Sequence, residues 1–576
     1  MSVEARPRLN VVLCWHMHQP QYSDLFTGQY AQPWTYLHAI KDYVDMAAHI
    51  EAMPGARAVV NFVPILLEQI DDYGRQVAAF LEEGRPIGDP LLNALACATL
   101  PSHTEQRLDL VRACLRVNEE RVIRRFAPYV RLVEIARLCL AQPEMAGYLN
   151  DQFFSDLLVW YHLGWMAETR RRTDARIQRL QDKGSDFSLH DRRELVTVVG
   201  ELLQGLIGRY RALAEAGQVE LSVTPYAHPI IPLLLDFASA REAMPEAELP
   251  EAAGYPGGEE RARWHIEEGL AVFERYFGRR PVGCWPAEGS LSEGTLDLLA
   301  EAGFGWTATG EQVLAHSVQQ DPALKGRPRE QWLFQGHAVG GRPIQCFFRD
   351  DGLSDLIGFT YSSWHADDAV ANLVGHLENI ARATADGHEH LVAIILDGEN
   401  AWEYYPENGY YFLSALYRTL VEHPHLNLTT FSDCLQRDIP PGGLQRLVAG
   451  SWVYGTFSTW IADRDKNRAW DMLVDAKQTF DRVLAEGNLE PAQQRRAENQ
   501  LAICEGSDWF WWFGDYNPAG AVHDFDRLYR LHLANLYRLL QVEPPEYLAH
   551  AFTTGRANGG VPDVGGVMRR GRPEGG

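Results

Sequence analysis

The most constraining feature of the sequence is the segment 391–409, LVAIILDGENAWEYYPENG, in which an unbroken apolar run ends in carboxylates. A short apolar run without polar alternation is typical of a parallel strand that is buried on both faces. Asp397 and Glu399 stand at the end of this run, and Trp402 follows them. Because parallel α/β barrels carry their functional groups at the carboxyl ends of the strands, we expect these acids to lie in a cleft.

A second segment has the same pattern. Residues 281–290, PVGCWPAEGS, form a short apolar stretch that ends in Trp285 and Glu288. Two carboxyl groups, one that donates a proton to the leaving oxygen and one that attacks, are the minimum equipment for cleaving a glycosidic bond. We therefore take Glu288 and Asp397 as the candidate catalytic pair.

The alternation of strands with helices predicts the fold class. Apolar strand segments recur along the chain, each followed by a helical pattern, and strand ends also carry Glu311 and Arg349. An α/β fold with an incomplete (β/α) barrel of about seven strands is the simplest architecture for this order. The helical stretch from about 90 to 215 is far longer than a barrel crossover needs, so it predicts a helical insertion.

The length of 576 residues exceeds one average core and predicts more than one unit. We expect a catalytic barrel over 1–435, a C-terminal helical domain over 436–552 that completes the cleft, and a disordered tail over 553–576, which is poor in apolar residues. The helical domain contains the segment 505–518, EGSDWFWWFGDYNP. Its four successive aromatic residues cannot all face one core, so we expect at least one to reach the cleft.

The first strand ends in a second polar group, His16, His18 and Gln19. In a strand, His-x-His places both side chains on one side. Three interpretations remain open: hydrogen bonding to sugar hydroxyls, a divalent metal site, or histidines satisfied within the core. The metal interpretation is weakened because catalytic zinc takes three protein ligands.

The composition excludes several partners. A formal charge of −24 repels nucleic acid and anionic lipid, whereas a neutral substrate and the 16 tryptophans suit carbohydrate. The eight cysteines are scattered without paired spacing, and the N-terminus has no apolar segment long enough for export or membrane spanning. We therefore expect a cytoplasmic protein without a metal or other cofactor.

Six segments in order resemble glycoside hydrolase family 57, most closely its amylopullulanase and α-amylase branch: WHMHQP (15–20), TPYAHP (224–229), WPAEGSLSEGTL (285–296), LDGENAWE (396–403), GSWVYGTFSTWIADRDKNRAWD (450–471) and SDWFWWFGD (507–515). The resemblance implies a retaining enzyme that acts on α-glucans, and it leaves the preference between α-1,4 and α-1,6 linkages open. Glu288 would be its nucleophile and Asp397 its general acid/base. Where the branch is expected to have Asp-Glu, this chain has Gly310-Glu311.

The matching segments and strand ends also supply the candidate substrate-binding residues, which are His16, His18, Gln19, His228, Trp285, Glu311, Arg349, Glu399, Trp402, Trp460, Asp508 and Trp509. The mechanism requires a protonated Asp397. Because this residue ends a buried strand near other acids, we expect its pKa to be raised.

Three alternatives to an amylase-type hydrolase stay open at this point. The first is a 4-α-glucanotransferase or branching enzyme with the same site. The second is a metal-dependent α-mannosidase or deacetylase that uses His16 and His18 with Asp350 or Asp397. The third is a glucan-binding protein without catalysis.

Overall fold

Seven parallel strands close into a barrel at the centre of the structure, a computed structural model that describes residues 9–386, 388–437 and 441–555. The strands of the described part are β1 (Leu9–Met17), β2 (Ser23–Asp24), β3 (Gln29–Tyr30), β4 (Ala58–Phe62), β5 (Val219–Val223), β6 (Gly283–Cys284), β7 (Trp306–Gly310), β8 (His337–Val339), β9 (Gln345–Arg349), β10 (Leu391–Asp397), β11 (Leu426–Thr429) and β12 (Gly442–Leu444).

The barrel order is β10, β1, β4, β5, β6, β7 and β9, and β9 returns to β10 to close the ring. The predicted α/β fold with seven barrel strands is thereby confirmed. In the parallel register His16 lies beside Asp397 and Gly310 lies beside Arg349. Residues that follow different strands thus meet at one end of the barrel, as the parallel arrangement requires.

The barrel strands are surrounded by helices, and eight α-helices, α3 to α10, lie between β4 and β5. The α-helices are α1 (Trp34–His38), α2 (Val44–Glu51), α3 (Pro64–Glu83), α4 (Pro90–Ala96), α5 (Thr104–Ala113), α6 (Ala127–Ala141), α7 (Asp151–Gly164), α8 (Glu168–Thr173), α9 (Ala175–Lys183), α10 (Leu189–Glu215), α11 (Ile231–Leu235), α12 (Gly258–Phe277), α13 (Glu293–Glu301), α14 (Glu311–Gln320), α15 (Asp351–Asp355), α16 (Ala366–Ala383), α17 (Tyr410–Glu422), α18 (Phe431–Gln436), α19 (Arg464–Glu486), α20 (Pro491–Cys504), α21 (Asp508–Trp512) and α22 (Ala519–Leu539).

The interior of the barrel is a packed core. β1 is buried along its whole length, and so is β10 up to Leu396, in keeping with their continuous apolar sequences. Inward side chains of several strands, among them Val12, Cys14, Trp306 and Ile395, form one buried cluster. Because this cluster fills the ring, the strand ends offer a floor for a surface cleft and the barrel has no pore.

The helices after β12 pack together through aromatic side chains. α19 begins at Arg464, where the Asp463 side chain accepts hydrogen bonds from backbone N–H groups of the first turn, and it ends at Gly487 in the left-handed conformation. The domain limits at 435/436 and 552/553 stay predictions. Residues 438–440 lie outside the described part, as do residues 556–576 of the predicted disordered tail. None of the helices in the described ranges is long and apolar enough to span a bilayer.

Candidate active site

A cavity of about 460 Å³ lies at the carboxyl ends of the barrel strands and contains both predicted catalytic carboxyl groups. Its lining includes Glu288 from the loop after β6, Asp397 from the end of β10 and Arg349 from the end of β9. The remaining lining residues are Gln312, Asp351, Asp355, Gly358, Phe359, Leu396, Asn400, Ala401, Trp452, Val453, Tyr454 and Trp511. Segments distant in sequence therefore converge on one space large enough for sugar rings.

Glu288 is held in an unusual backbone conformation. It lies in a 3₁₀ turn, Ala287–Gly289, with φ of +55°, a region that side-chain-bearing residues adopt at a cost of about 1–3 kcal/mol. The indole N–H of Trp452 donates to its Oε2 at 2.9 Å, and the Trp452 backbone N–H donates to its carbonyl at 3.1 Å. These bonds orient the carboxylate and offer a donor to its negative charge.

Gly310 explains how Trp452 reaches Glu288. A Cβ on Gly310 would lie 2.5 Å from the Cα of Trp452, closer than packed atoms can approach. The glycine that departs from the expected Asp-Glu pattern therefore makes room for the backbone of the segment 450–455. Any side chain at position 310 would displace the tryptophan that contacts the nucleophile candidate.

Asp397 has the environment expected of a proton donor. Burial raises its pKa to about 6, although a hydrogen bond from Asn400 and the charges of His18 and Arg349 act in the opposite direction. The predicted direction of the shift is confirmed. Behind it, Glu399 is buried and accepts from the Gln19 side chain at 3.2 Å. Burial, with the neighbouring Asp397 and Asp42 charges, raises the pKa of Glu399 well above its usual range.

Arg349 forms one wall of the cavity. Its Nε donates to the Ile395 carbonyl at 2.8 Å, and its other nitrogens donate to Asp351 at 2.7 Å and Asp355 at 2.6 Å. Glu311, also predicted to bind substrate, lies outside the lining residues. It accepts from Arg329 at 2.7 Å and from the Asp351 backbone N–H at 3.2 Å, so it supports the wall from behind.

Three histidines form a buried cluster beside Asp397. Nε2 of His16 lies 3.1 Å from Nε2 of His228, and the rings of His18 and His228 stack with centroids 3.8 Å apart. Burial and the neighbouring His18 lower the pKa of His16 to about 3, and the same two causes lower the pKa of His228 well below its usual range. His16 and His228 are therefore neutral at neutral pH, as suits hydrogen bonding to hydroxyl groups.

Residues outside the barrel hold the cluster in place. Asn61, the polar residue in β4, has its Oδ1 2.7 Å from Nδ1 of His16. The Asp508 carboxylate lies 2.7 Å from Nε2 of His18, and the Ser507 hydroxyl lies 2.8 Å from Nδ1 of His228. Asp508 and Ser507 belong to the C-terminal helical part, which therefore contacts the histidine cluster.

A metal could be considered at this cluster. Within the described ranges, donor atoms of His18, His228 and Asp508 lie within 4.8 Å of one another. However, a histidine nitrogen binds a metal through a lone pair that lies in the plane of its ring. The rings of His18 and His228 are stacked with centroids 3.8 Å apart and a tilt of 21°, so an ion shared by both would lie well out of the plane of at least one ring. His18 already pairs with Asp508. The present side-chain positions are those of a hydrogen-bonded cluster.

Glu505 anchors the segment that carries Ser507 and Asp508. Its fully buried carboxylate accepts from Arg261 at 2.8 and 2.9 Å, from Nε2 of His265 at 2.8 Å and from the Tyr255 hydroxyl at 2.5 Å. Burial alone would raise the pKa of this carboxyl, but the Arg261 charge and the His265 hydrogen bond lower it to about 2. Sequence analysis did not single out any of these four residues.

The predicted tryptophans are placed differently from what the resemblance implied. Trp285, Trp402, Trp460 and Trp509 are at most 1% exposed and are absent from the lining of the cavity. Each packs in the interior against at least one other aromatic ring; for example, Trp509 packs against Phe525, Tyr529 and His532. Trp285 packs under Trp452, with ring centroids 5.0 Å apart.

One member of the aromatic run 509–512 does reach the cavity, as expected, and it is Trp511. Sequence analysis missed Trp452, Tyr454, Phe359 and Asn400 as site residues. Trp452, Tyr454 and Asn400 stand inside segments that carry the family resemblance, so their position was the available signal. Phe359 follows a strand end but had no distinguishing feature.

A larger cavity of about 760 Å³ lies away from the barrel mouth. It is lined mainly by residues of α4 and α5 and of the loops beside them, with Arg116 and Asp524 at its edge. None of the predicted site residues contributes to it. The 460 Å³ cavity is therefore the candidate active site.

A parallel barrel whose strand ends bring two carboxyl groups into one cavity is the framework of a carbohydrate-cleaving enzyme. The chain belongs to glycosyl hydrolase family 57, whose family model matches residues 12–447. Membership in this family supports the conclusion that the chain is an enzyme that acts on glucans. No match was found among the curated proteins.

Solved structures of glucan-active enzymes share the fold. A family 57 branching enzyme from Thermococcus kodakaraensis is 14% identical, with 92% of this chain and 90% of that chain covered and a TM-score of 0.59. A branching enzyme from Pyrococcus horikoshii is 16% identical, with 96% and 98% covered and a TM-score of 0.54. The α-amylase AmyC from Thermotoga maritima is 14% identical, with 93% of each chain covered and a TM-score of 0.54.

Proposed function

We propose that this protein is a retaining α-glucan-cleaving enzyme of the amylase and amylopullulanase type, in which Glu288 is the nucleophile and Asp397 the general acid/base. The observation that carries the proposal is that both carboxyl groups line one cavity, with the pKa of Asp397 raised to about 6. A carboxyl group with that pKa retains a proton near neutral pH, which a general acid needs.

In the first step Asp397 gives its proton to the glycosidic oxygen while a Glu288 oxygen bonds to the anomeric carbon. The bond between that carbon and the leaving oxygen breaks, and a glycosyl ester of Glu288 remains. In the second step water attacks the anomeric carbon and gives its proton to the Asp397 carboxylate. The ester bond then breaks, and its electron pair returns to Glu288.

The side chains around the pair have supporting roles in this proposal. Trp452 orients Glu288, while Arg349 and Asn400 contribute polar groups to the cavity wall. His16, His18 and His228 lie next to Asp397, but they are buried and absent from the lining of the cavity.

The direct test traps the ester. After incubation with a 5-fluoro-α-glycosyl fluoride, mass spectrometry of the digested protein should find the added sugar on the peptide that contains Glu288. Replacement Glu288→Gln should abolish labelling and lower kcat on maltooligosaccharides by about 10³-fold or more. Glu293→Gln, a matched change five residues later on α13 and outside the cavity, should retain both. A label on any other carboxylate would reject the assignment.

Transfer to a second glucan by the same intermediate is the second candidate function. Large aromatic side chains exposed at the mouth of the cavity favour it. Branching enzymes and an α-amylase are both among the structures with this fold, so the fold itself does not separate transfer from hydrolysis.

A further inference from the structure

Two aromatic side chains at the mouth of the cavity are largely exposed. Tyr454 is 53% exposed and Phe359 is 47% exposed, and both line the same cavity as Glu288 and Asp397. The two tryptophans in the same lining, Trp452 and Trp511, are half-buried, so Tyr454 and Phe359 are the more exposed rings. Exposed apolar surface beside a cleft commonly marks a binding site.

The two rings are presented by different elements. Phe359 stands in the π-helical turn Leu356–Thr360 that continues α15, and π-helical turns are frequent at functional sites. Tyr454 stands two residues after Trp452, on the segment that contacts Glu288. A ligand on these rings would therefore lie next to the groups that perform the chemistry.

The backbone at Tyr454 is in a costly conformation. Its φ is +58°, which is uncommon for a bulky side chain, and Gly455 follows with φ of +66°. A Cβ on Gly455 would lie 2.6 Å from the Cβ of Gln312, so the turn is pressed against α14. Strained backbone of this kind concentrates at ligand sites, where it places a side chain that packing would not.

The chemistry of the mouth indicates a neutral ligand. Asp351 and Asp355 line the same cavity as the two rings, and the chain carries a formal charge of −24, so anions are disfavoured. The C–H faces of pyranose rings pack well on flat aromatic surfaces, and burying them removes apolar area from water. A second α-glucan chain fits these properties.

We propose that Tyr454 and Phe359 form an acceptor subsite that binds a second α-glucan chain and directs the glycosyl-enzyme towards transfer in competition with hydrolysis. This inference rests on the proposed function. In the transfer step an acceptor hydroxyl oxygen bonds to the anomeric carbon and gives its proton to Asp397. The ester bond breaks, and its electron pair returns to Glu288.

The test measures a ratio rather than a rate. With α-maltotriosyl fluoride as donor and maltotriose as added acceptor, fluoride release counts every glycosyl-enzyme formed, and chromatography counts the elongated products. The ratio of elongated product to fluoride does not depend on how fast the donor is cleaved. A variant that is merely less active or partly unfolded therefore keeps the wild-type ratio.

Tyr454→Asn suits this test because asparagine tolerates a positive φ and lacks the ring. We expect Tyr454→Asn and Phe359→Ala each to need about fivefold more maltotriose for the same ratio, as the loss of one stacking contact predicts. Tyr454→Phe retains the ring and should restore the wild-type ratio. Tyr148→Ala is the matched control, because Tyr148 is 83% exposed in the helical insertion and lies outside the cavity.

The outcomes are distinguishable. If the wild-type protein releases no fluoride, the proposed function fails, and this inference fails with it. If fluoride is released but no elongated product forms at any maltotriose concentration, only the acceptor subsite is overturned. The same conclusion follows if the double variant Tyr454→Asn, Phe359→Ala keeps the wild-type ratio.

Discussion

Replacing Glu505 by glutamine is expected to destabilise the protein and to disturb the histidine cluster beside Asp397. Glu505 is fully buried and accepts hydrogen bonds from Arg261, His265 and Tyr255. Two residues further on, Ser507 contacts His228 through its side chain and, with its backbone N–H, the His228 carbonyl at 2.9 Å. Glu505 and the histidine cluster beside Asp397 are thus joined by a very short piece of chain.

The size of the effect follows from the pKa of Glu505. A carboxyl group whose pKa falls from 4.5 to about 2 on folding contributes about 3 kcal/mol when ionised, at about 1.4 kcal/mol per pKa unit. This stability is present above pH 4.5 and is lost as the pH falls towards 2. Because glutamine leaves the Arg261 guanidinium buried without its anion, we expect Glu505→Gln to cost about 3–5 kcal/mol at pH 7.

Urea unfolding, followed by tryptophan fluorescence at pH 7 and at pH 3.5, measures this cost. The difference between wild type and variant should shrink at the lower pH, where Glu505 in the unfolded chain is protonated. Hydrogen exchange of peptides within 499–512 should increase, and kcat/KM should fall about tenfold or more, as misplacement of contacting groups predicts. Glu498→Gln, the same change at a half-buried position of α20, is the control.

The reasoning would be refuted if Glu505→Gln and Glu498→Gln had equal unfolding free energies at pH 7. A pH-independent difference between the two variants would also reject the ionised carboxylate as the source of the stability.

Three further predictions concern the cavity. Gly310→Ala places a methyl group 2.5 Å from the Cα of Trp452, so kcat should fall about tenfold or more. Gly375→Ala on α16 is the control, because the space around Gly375 is open, and it should keep the wild-type rate. An equal loss of activity in both variants would contradict the steric argument. Trp452→Phe removes the N–H donor to Glu288 and should lower kcat about ten- to hundredfold with little change in KM; unchanged kinetics would mean that the bond has no role. Finally, kcat/KM on maltotriose should decline as the pH rises through about 6, because Asp397 then loses its proton, and a pH–rate profile that stays flat to pH 8 would exclude it as the acid.

The shared location of the two candidate catalytic residues could be predicted because its signal is local. An apolar run that ends in an acid predicts a strand-end carboxylate, and the parallel arrangement brings such ends together. Glu288 and Asp397 therefore meet in one cavity although they lie far apart in the chain. The raised pKa of Asp397 followed from the same burial.

The locations of the tryptophans were harder to predict because an indole packs equally well in a core and in a cleft. Nothing in the sequence distinguishes Trp511, which lines the cavity, from Trp509, which packs in the interior. The role of Trp452 depends on a close approach between two segments, and only the missing side chain of Gly310 hinted at it. Glu505 was missed because its partners Arg261 and His265 come from a distant helix.

The hydrogen bond between His18 and Asp508 joins residues 490 positions apart. At a synthesis rate of about 5–20 residues per second, about 25–100 s pass between the emergence of the two partners. During that interval a nascent barrel carries its two carboxyl groups without the side chains that brace its histidines. The histidine cluster beside Asp397 is thus completed late in synthesis, and proteolytic loss of the segment around 505–512 would remove the Ser507 and Asp508 contacts from it.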